Sequence, residues 1–276
     1  MATSTTGYGP DKGRKGDTTY YLKNGQLIAR TAHTRHLHKG RTPNVMANRT
    51  KMQNITFNWR ELKPFIEDCF ELPKPTASGY SEFMSLNLCR TEVHLTKTDV
   101  KEQVAVADHF VVSHGSLPVG VQVEERDGWM MSDIAVGELP MGLDSSMMEF
   151  VTALRMNNPG RFQHGDELMF LRLRQQINMN LNNPIVYAHR VRLSLNNRDP
   201  RTVGQALATQ FGTEGFEARG GFLATEAHAG DLCTWILLRP QPKGRPKVST
   251  QQLVGRNPLL EKYTSAAHLE EAIKSY

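Results

Sequence analysis

From Val104 onward, apolar and polar residues alternate in short runs, and that period of two predicts strands. Eight runs fit: 104–113, 118–124, 128–136, 166–175, 185–195, 221–225, 233–239 and 248–254. Gly, Pro, Asn and Asp clusters separate them, the punctuation of a β-sandwich or a pair of small sandwiches. Two helices accompany the strands. Ser146 caps one, with Glu149 in capping-box position and Phe150, Val151 and Leu154 turned inward. The other begins near Ser265, where Leu269, Ala272, Ile273 and Tyr276 make an i, i+3, i+4, i+7 stripe.

Upstream of Val104 the period lengthens to that of helices. Pro43 opens one that runs to about Gln53. Asn58 is placed to cap a second, with Glu61 three residues on and Phe57 stapled to Leu62. Trp59, Leu62, Phe65, Ile66, Cys69 and Phe70 share its inner face; Pro64 lies early enough to be tolerated, and Pro73 and Pro75 end the element. A third helix, Ser78 to Arg90, presents Tyr80, Phe83, Met84 and Leu88. Before these, residues 18–30 predict a hairpin around Asn24-Gly25, a pair suited to a type I′ turn. The fold expected is α+β. It has a basic hairpin arm (1–42), a small helical cluster (43–97) and a β-sandwich-like body with a C-terminal helix (98–276).

Charge sharpens this division. The first sixty residues hold eleven Lys and Arg against two acids, so that segment carries about +9; the whole chain is +5, leaving about −4 on the rest. A basic arm before a near-neutral body points to a polyanionic partner. The hydrophobic fraction of 39% supports a globular body, which excludes wholesale disorder. No stretch of about 18 apolar residues exists, which excludes a helical membrane span, and the N-terminus lacks a signal-peptide core. The expected location is cytoplasmic. Cys69, Cys89 and Cys233 are odd in number and far apart, so they signal neither a disulfide framework nor a zinc site. Cys69 and Cys89 fall on apolar helix faces and read as small core residues.

Three groups of motifs carry a resemblance. They are Tyr21-Leu-Lys-Asn-Gly25-Gln-Leu-Ile-Ala-Arg30 with Asn48-Arg-Thr-Lys-Met52, then Phe110-Val-Val-Ser-His-Gly-Ser-Leu117. The last is Lys247-Val-Ser-Thr-Gln251 with Tyr263-Thr-Ser and Ala272-Ile-Lys-Ser-Tyr276. Over nearly its whole length the chain resembles an uncharacterised family of Bacteroidetes-type bacteria. The resemblance implies a β-rich body behind a basic N-terminal motif, with no activity, cofactor or catalytic residue attached.

The candidate chemistry starts with the arm. Arg30, Arg35, Lys39, Arg41, Arg49 and Lys51 can neutralise successive phosphates of DNA or RNA, while Tyr20 and Tyr21 offer stacking surfaces for unpaired bases. Docking on the chain's own acidic body, on a second copy of the chain or on another protein fits the same charges. A second basic patch is expected if strands 166–175 and 185–195 form a hairpin that gathers Arg172, Arg174, Arg190 and Arg192 on one outer sheet face. Arg239, Lys243, Arg245 and Lys247 make a basic loop. His33, His36 and His38 invite a metal, yet no carboxylate or thiolate stands beside them and four neighbouring cations oppose one. His114-Gly-Ser116 and His164-Gly-Asp166 lack a nucleophile elbow and read as turns. The expectation is a binding protein with no catalytic residue, metal or cofactor.

Overall fold

The computed structural model describes residues 13–15, 18–23, 26–31, 42–72, 77–118, 120–137, 145–180, 183–196, 199–209, 212–213 and 215–276. In chain order, β1 (Gly13–Lys15), β2 (Thr18–Lys23) and β3 (Gln26–Thr31) form an antiparallel sheet of their own. Then come α1 (Pro43–Ile66), α2 (Gly79–Asn87), α3 (Lys97–Lys101), β4 (Val111–Ser113), β5 (Val123–Arg126), β6 (Trp129–Ala135) and α4 (Met147–Asn157). The long hairpin β7 (Glu167–Asn178) and β8 (Asn183–Ser194) follows, then α5 (Val203–Leu207), β9 (Ala208–Thr209), β10 (Gly212–Thr213), β11 (Phe216–Arg219) and β12 (Phe222–Glu226). The chain closes with β13 (Asp231–Arg239), β14 (Lys247–Val248), β15 (Gln251–Gln252), β16 (Val254–Gly255), α6 (Leu259–Tyr263) and α7 (Ala266–Ser275). The fold is α+β with a C-terminal helix.

One sheet organises the rest. It runs β14-β13-β7-β8, with β16 also paired to β13. On one face Leu168, Phe170, Trp235 and Leu237 pack against the second sheet, β11-β12-β6-β5, and against Phe150 and Leu154 of α4. On the other, Met169, Leu171, Leu173 and Ile236 pack against Ile55, Trp59, Leu62 and Ile66 of α1 and Phe83 of α2. Both faces of β13 are therefore covered, and all its residues but Arg239 are buried. That is why Leu232 to Leu238 reads as one apolar run broken only by Thr234, where a half-exposed strand would alternate. The helices expected as a separate cluster share one core with the sheet.

Helix α1 corrects the expected break near Asn58. It runs unbroken for 24 residues, and Asn54 and Asn58 lie fully buried in its middle. Asn54 donates to Val106 O at 3.0 Å and accepts from Val106 N at 2.8 Å; Asn58 donates to the same oxygen at 3.0 Å. These amides, with the Gln175 carboxamide at Ala105 O and Ala107 N and a bond from Ala105 N to Pro184 O, stand in for the ladder that 104–107 was expected to make; Val111–Ser113 is the part of that run that forms a strand. Leaving a buried backbone pair unmade costs about 1–3 kcal/mol per group, so two buried asparagines are cheaper than two apolar residues there. Cys89 is also corrected: it is exposed, whereas Cys69 and Cys233 are buried. Ser146 and Ser265 cap α4 and α7 as expected, each accepting from a backbone N–H three residues on.

Candidate nucleic-acid interface

The hairpin is present, with Lys23 opposite Gln26; its turn, Asn24-Gly25, lies outside the described residues. Tyr20 pairs with Ala29 and Tyr21 with Ile28, so consecutive tyrosines point to opposite faces. Arg30 pairs with Thr19 and shares a face with Tyr21 and Lys23, its guanidinium 5.4 Å from the Tyr21 ring centre. One face thus groups a stacked Tyr–Arg pair with a lysine; Tyr20 faces the other way. Arg35, Lys39, Arg41 and the three histidines of the link lie outside the described residues.

At 100° per residue, Arg49, Thr56, Arg60 and Lys63 line one side of α1 over about 21 Å, opposite the buried side that holds Asn54, Asn58 and Leu62. Tyr80 of α2 stands beside this stripe, its hydroxyl 3.3 Å from Thr56 Oγ1. Arg60 lies over the Phe57 ring at 5.4 Å, and Glu67 closes the stripe at its C-terminal end. Arg60, Lys63 and Tyr80 escape a sequence reading because their alignment with Arg49 needs 43–66 to be a single helix. Lys51, two residues and 200° from Arg49, falls instead on the packed side.

There Lys51 raises the local potential around His94, a buried imidazole whose Nδ1 is 2.7 Å from Thr50 Oγ1. Burial, then the charges of Lys51 and His268, push the His94 pKa down to about 4. Below the ordinary value of 6.5, the unfolded chain takes a proton that the folded protein refuses. This group therefore removes stability progressively as pH falls from about 6.5 to about 4, a loss of order 2 kcal/mol. His109 acts in the opposite sense. Its Nδ1 lies 3.4 Å from Asp108 and its Nε2 3.0 Å from Gly255 O, and these acceptors raise its pKa. The stability it adds is present at low pH and lost as pH rises through its folded value. Urea unfolding of His94→Gln is expected to show a flatter acid-side loss than the parent; an identical slope would refute the assignment.

The second basic patch is corrected outright. Paired positions of β7 and β8 place Arg172 opposite His189 and Arg174 opposite Tyr187, but Arg190 opposite Leu171 and Arg192 opposite Met169. The arginines therefore divide two to each face. The cause is the four-residue connection from Asn178 to Asn183, because an even count opposes odd to even positions. Nor are these cations uncommitted. Arg172 is buried, its Nη1 2.8 Å from Asp231 Oδ2 and its Nη2 2.8 Å from Thr225 Oγ1; Arg174 joins the same carboxylate at 3.2 Å. Arg190 donates to Phe65 O at 3.0 Å, and Arg192 pairs with Glu167.

The two loop arginines follow suit. Arg239 grips Asp166 with two bonds of 2.8 Å, and Arg245 donates to Glu67 O at 3.0 Å. His164-Gly165 is a turn, whereas His114 makes a β-bridge with Phe70; Asp166 pairs with Arg239, and His114 Nδ1 lies 3.2 Å from Glu82. Lys23, Arg30, Arg49, Arg60 and Lys63, by contrast, make no ion pair with any described carboxylate. No group of three or more His, Cys, Asp or Glu among the described residues is placed to hold a metal, and no described helix is long and apolar enough to cross a membrane.

No family model, curated protein or solved structure matches the chain, so the family resemblance rests on the motifs quoted above alone.

Proposed function

We propose that the protein binds nucleic acid without catalysis, through its basic hairpin arm and the cationic side of α1. The observation that supports this reading is an asymmetry of commitment. Arg172, Arg174, Arg190, Arg192, Arg239 and Arg245 of the body are held by its own acids and carbonyls, whereas the described arm and α1-stripe cations have no carboxylate partner. Cations with no carboxylate partner break no ion pair when they turn to phosphates, and each phosphate neutralised releases counterions. Tyr21 and Tyr80 add ring faces for unpaired bases, worth about 1–3 kcal/mol per stacked base. The contacts are to backbone and base faces, so sequence preference is weak and the partner is DNA or RNA. The reading keeps the protein in the cytoplasm.

The test is a triple variant, Arg49→Gln, Arg60→Gln and Lys63→Gln, titrated against a labelled single-stranded oligonucleotide and its duplex. Three lost phosphate contacts lower the slope of log affinity against log salt by about 2 to 3. An unchanged slope would remove α1 from the interface.

A second reading, self-assembly through the arm, has one observation behind it. Leu22 and Leu27 stand opposite each other on β2 and β3 and are 55% and 52% exposed. Apolar pairs of this kind on an edge hairpin are pairing surfaces. Size-exclusion chromatography after nuclease treatment separates the two readings. A nuclease-resistant oligomer that Leu22→Lys dissolves favours assembly; a monomer favours nucleic acid.

A further inference from the structure

A cleft of about 630 Å³ lies between the β5–β6 hairpin and the 251–254 segment. Its shape is unusual in one respect. Val121 and Val123 on one face of the hairpin line it, and so do Gln122 and Glu124 on the other. Successive residues of a strand point to opposite faces, so a cavity that touches both must wrap the strand's edge. β5 is the terminal strand of its sheet, bonded to β6 on one side only. Among the described residues the other edge makes no ladder bond, and β16 lies close beside part of it.

The far wall suits the same kind of guest. Gln251 and Gln252 line it, offering carboxamides that can both donate to and accept from peptide groups. Thr234 lines it too, and its buried hydroxyl has no hydrogen-bond partner. Val254 and Met131 supply apolar surface between these polar groups. Charge then selects the guest. β5 and its turn carry Glu124, Glu125 and Asp127 against Arg126, which is already paired with Glu124 at 2.7 Å. Asp133, inside the cleft, is neutralised by Arg161 at 2.6 Å. What remains at the edge is net negative.

The geometry points to a docking site for an extended, basic peptide segment of a partner protein, which adds as a strand to that edge of β5. Main-chain bonds to β5 give affinity, the carboxamides read the peptide's outer groups, and alternate side chains divide between the apolar wall and the acidic edge. The site is remote in chemistry from the cationic arm, so one chain can hold a polyanion and a basic peptide at once.

The probe is a labelled, end-capped octapeptide of alternating valine and lysine, compared with its valine–glutamate counterpart on the full-length protein. Saturable binding of the lysine peptide is expected, with the glutamate peptide at least ten-fold weaker. Amide exchange is expected to slow at Val123–Arg126 on binding. Glu125 and Gln252 are exposed, so Glu125→Lys and Gln252→Trp leave the fold intact, and each is expected to weaken the lysine peptide several-fold. Equal affinity for both peptides, binding unmoved by both substitutions, or protection that misses β5 would each overturn the proposal.

Discussion

Asp231→Ala is expected to destabilise the protein by about 3–5 kcal/mol, the largest effect of any single substitution outside the apolar core. Asp231 opens β13 in the interior and takes charge-assisted bonds from Arg172 and Arg174. Removing the carboxylate leaves the Arg172 guanidinium in a site with almost no solvent, where Thr225 Oγ1 and Glu226 O satisfy two of its contacts but not its charge. Typical domains hold only about 5–15 kcal/mol in total, so the variant loses a large share of its stability. Denaturant midpoints of the parent, Asp231→Ala and the double variant Asp231→Ala with Arg172→Met check this. The double variant is expected to recover much of the loss, because it removes the buried charge together with its partner. A single variant within about 1 kcal/mol of the parent would mean that water reaches Arg172 in solution.

The second large effect concerns binding. Deleting residues 1–42 removes eight of the eleven cations of the first sixty residues. Among the described residues, the apolar clusters on the two sides of the main sheet begin at Ile55 and Leu117, beyond the deletion. Affinity for an oligonucleotide near physiological salt is expected to fall about 100-fold or more, with an unchanged unfolding transition. Retained affinity would assign the binding to another surface.

How far the sequence carried the fold depends on which force dominates at each point. Capping boxes are local chemistry, and Ser146 with Glu149 announced α4 correctly. Thr96 with Asp99 makes the same capping box at the start of α3, a helix too short to show a period in its apolar residues. The alternation of β6, β7 and β8 and the apolar run of β13 were legible, since burial writes itself into side-chain type. Asn58 misled because asparagine is chosen here for a tertiary task, bonding the extended segment at Val106, while its usual local role is to start helices. The arginines of β7 and β8 misled for a different reason. Each strand's faces were evident, but the sign relating them is set by the parity of the connecting loop. A buried Arg172 cannot be told from an exposed one until Asp231, fifty-nine residues later, is seen beside it.

The candidate interface was legible as charge and hidden as geometry. A count of cations located the arm, yet only a continuous α1 brings Arg60 and Lys63 into line with Arg49, and only the strand pairing separates Tyr20 from Tyr21. Lys51 shows the converse case, a cation counted toward binding that instead faces His94 on the packed side.

The slope of log affinity against log salt for the full-length protein on a single-stranded oligonucleotide is the most direct probe of whether those cations meet phosphates. About 0.7 is gained per contact, so five or more engaged cations predict a slope steeper than about −3. A slope near zero, or no saturable binding at low salt, would contradict the assignment of the arm to a polyanion.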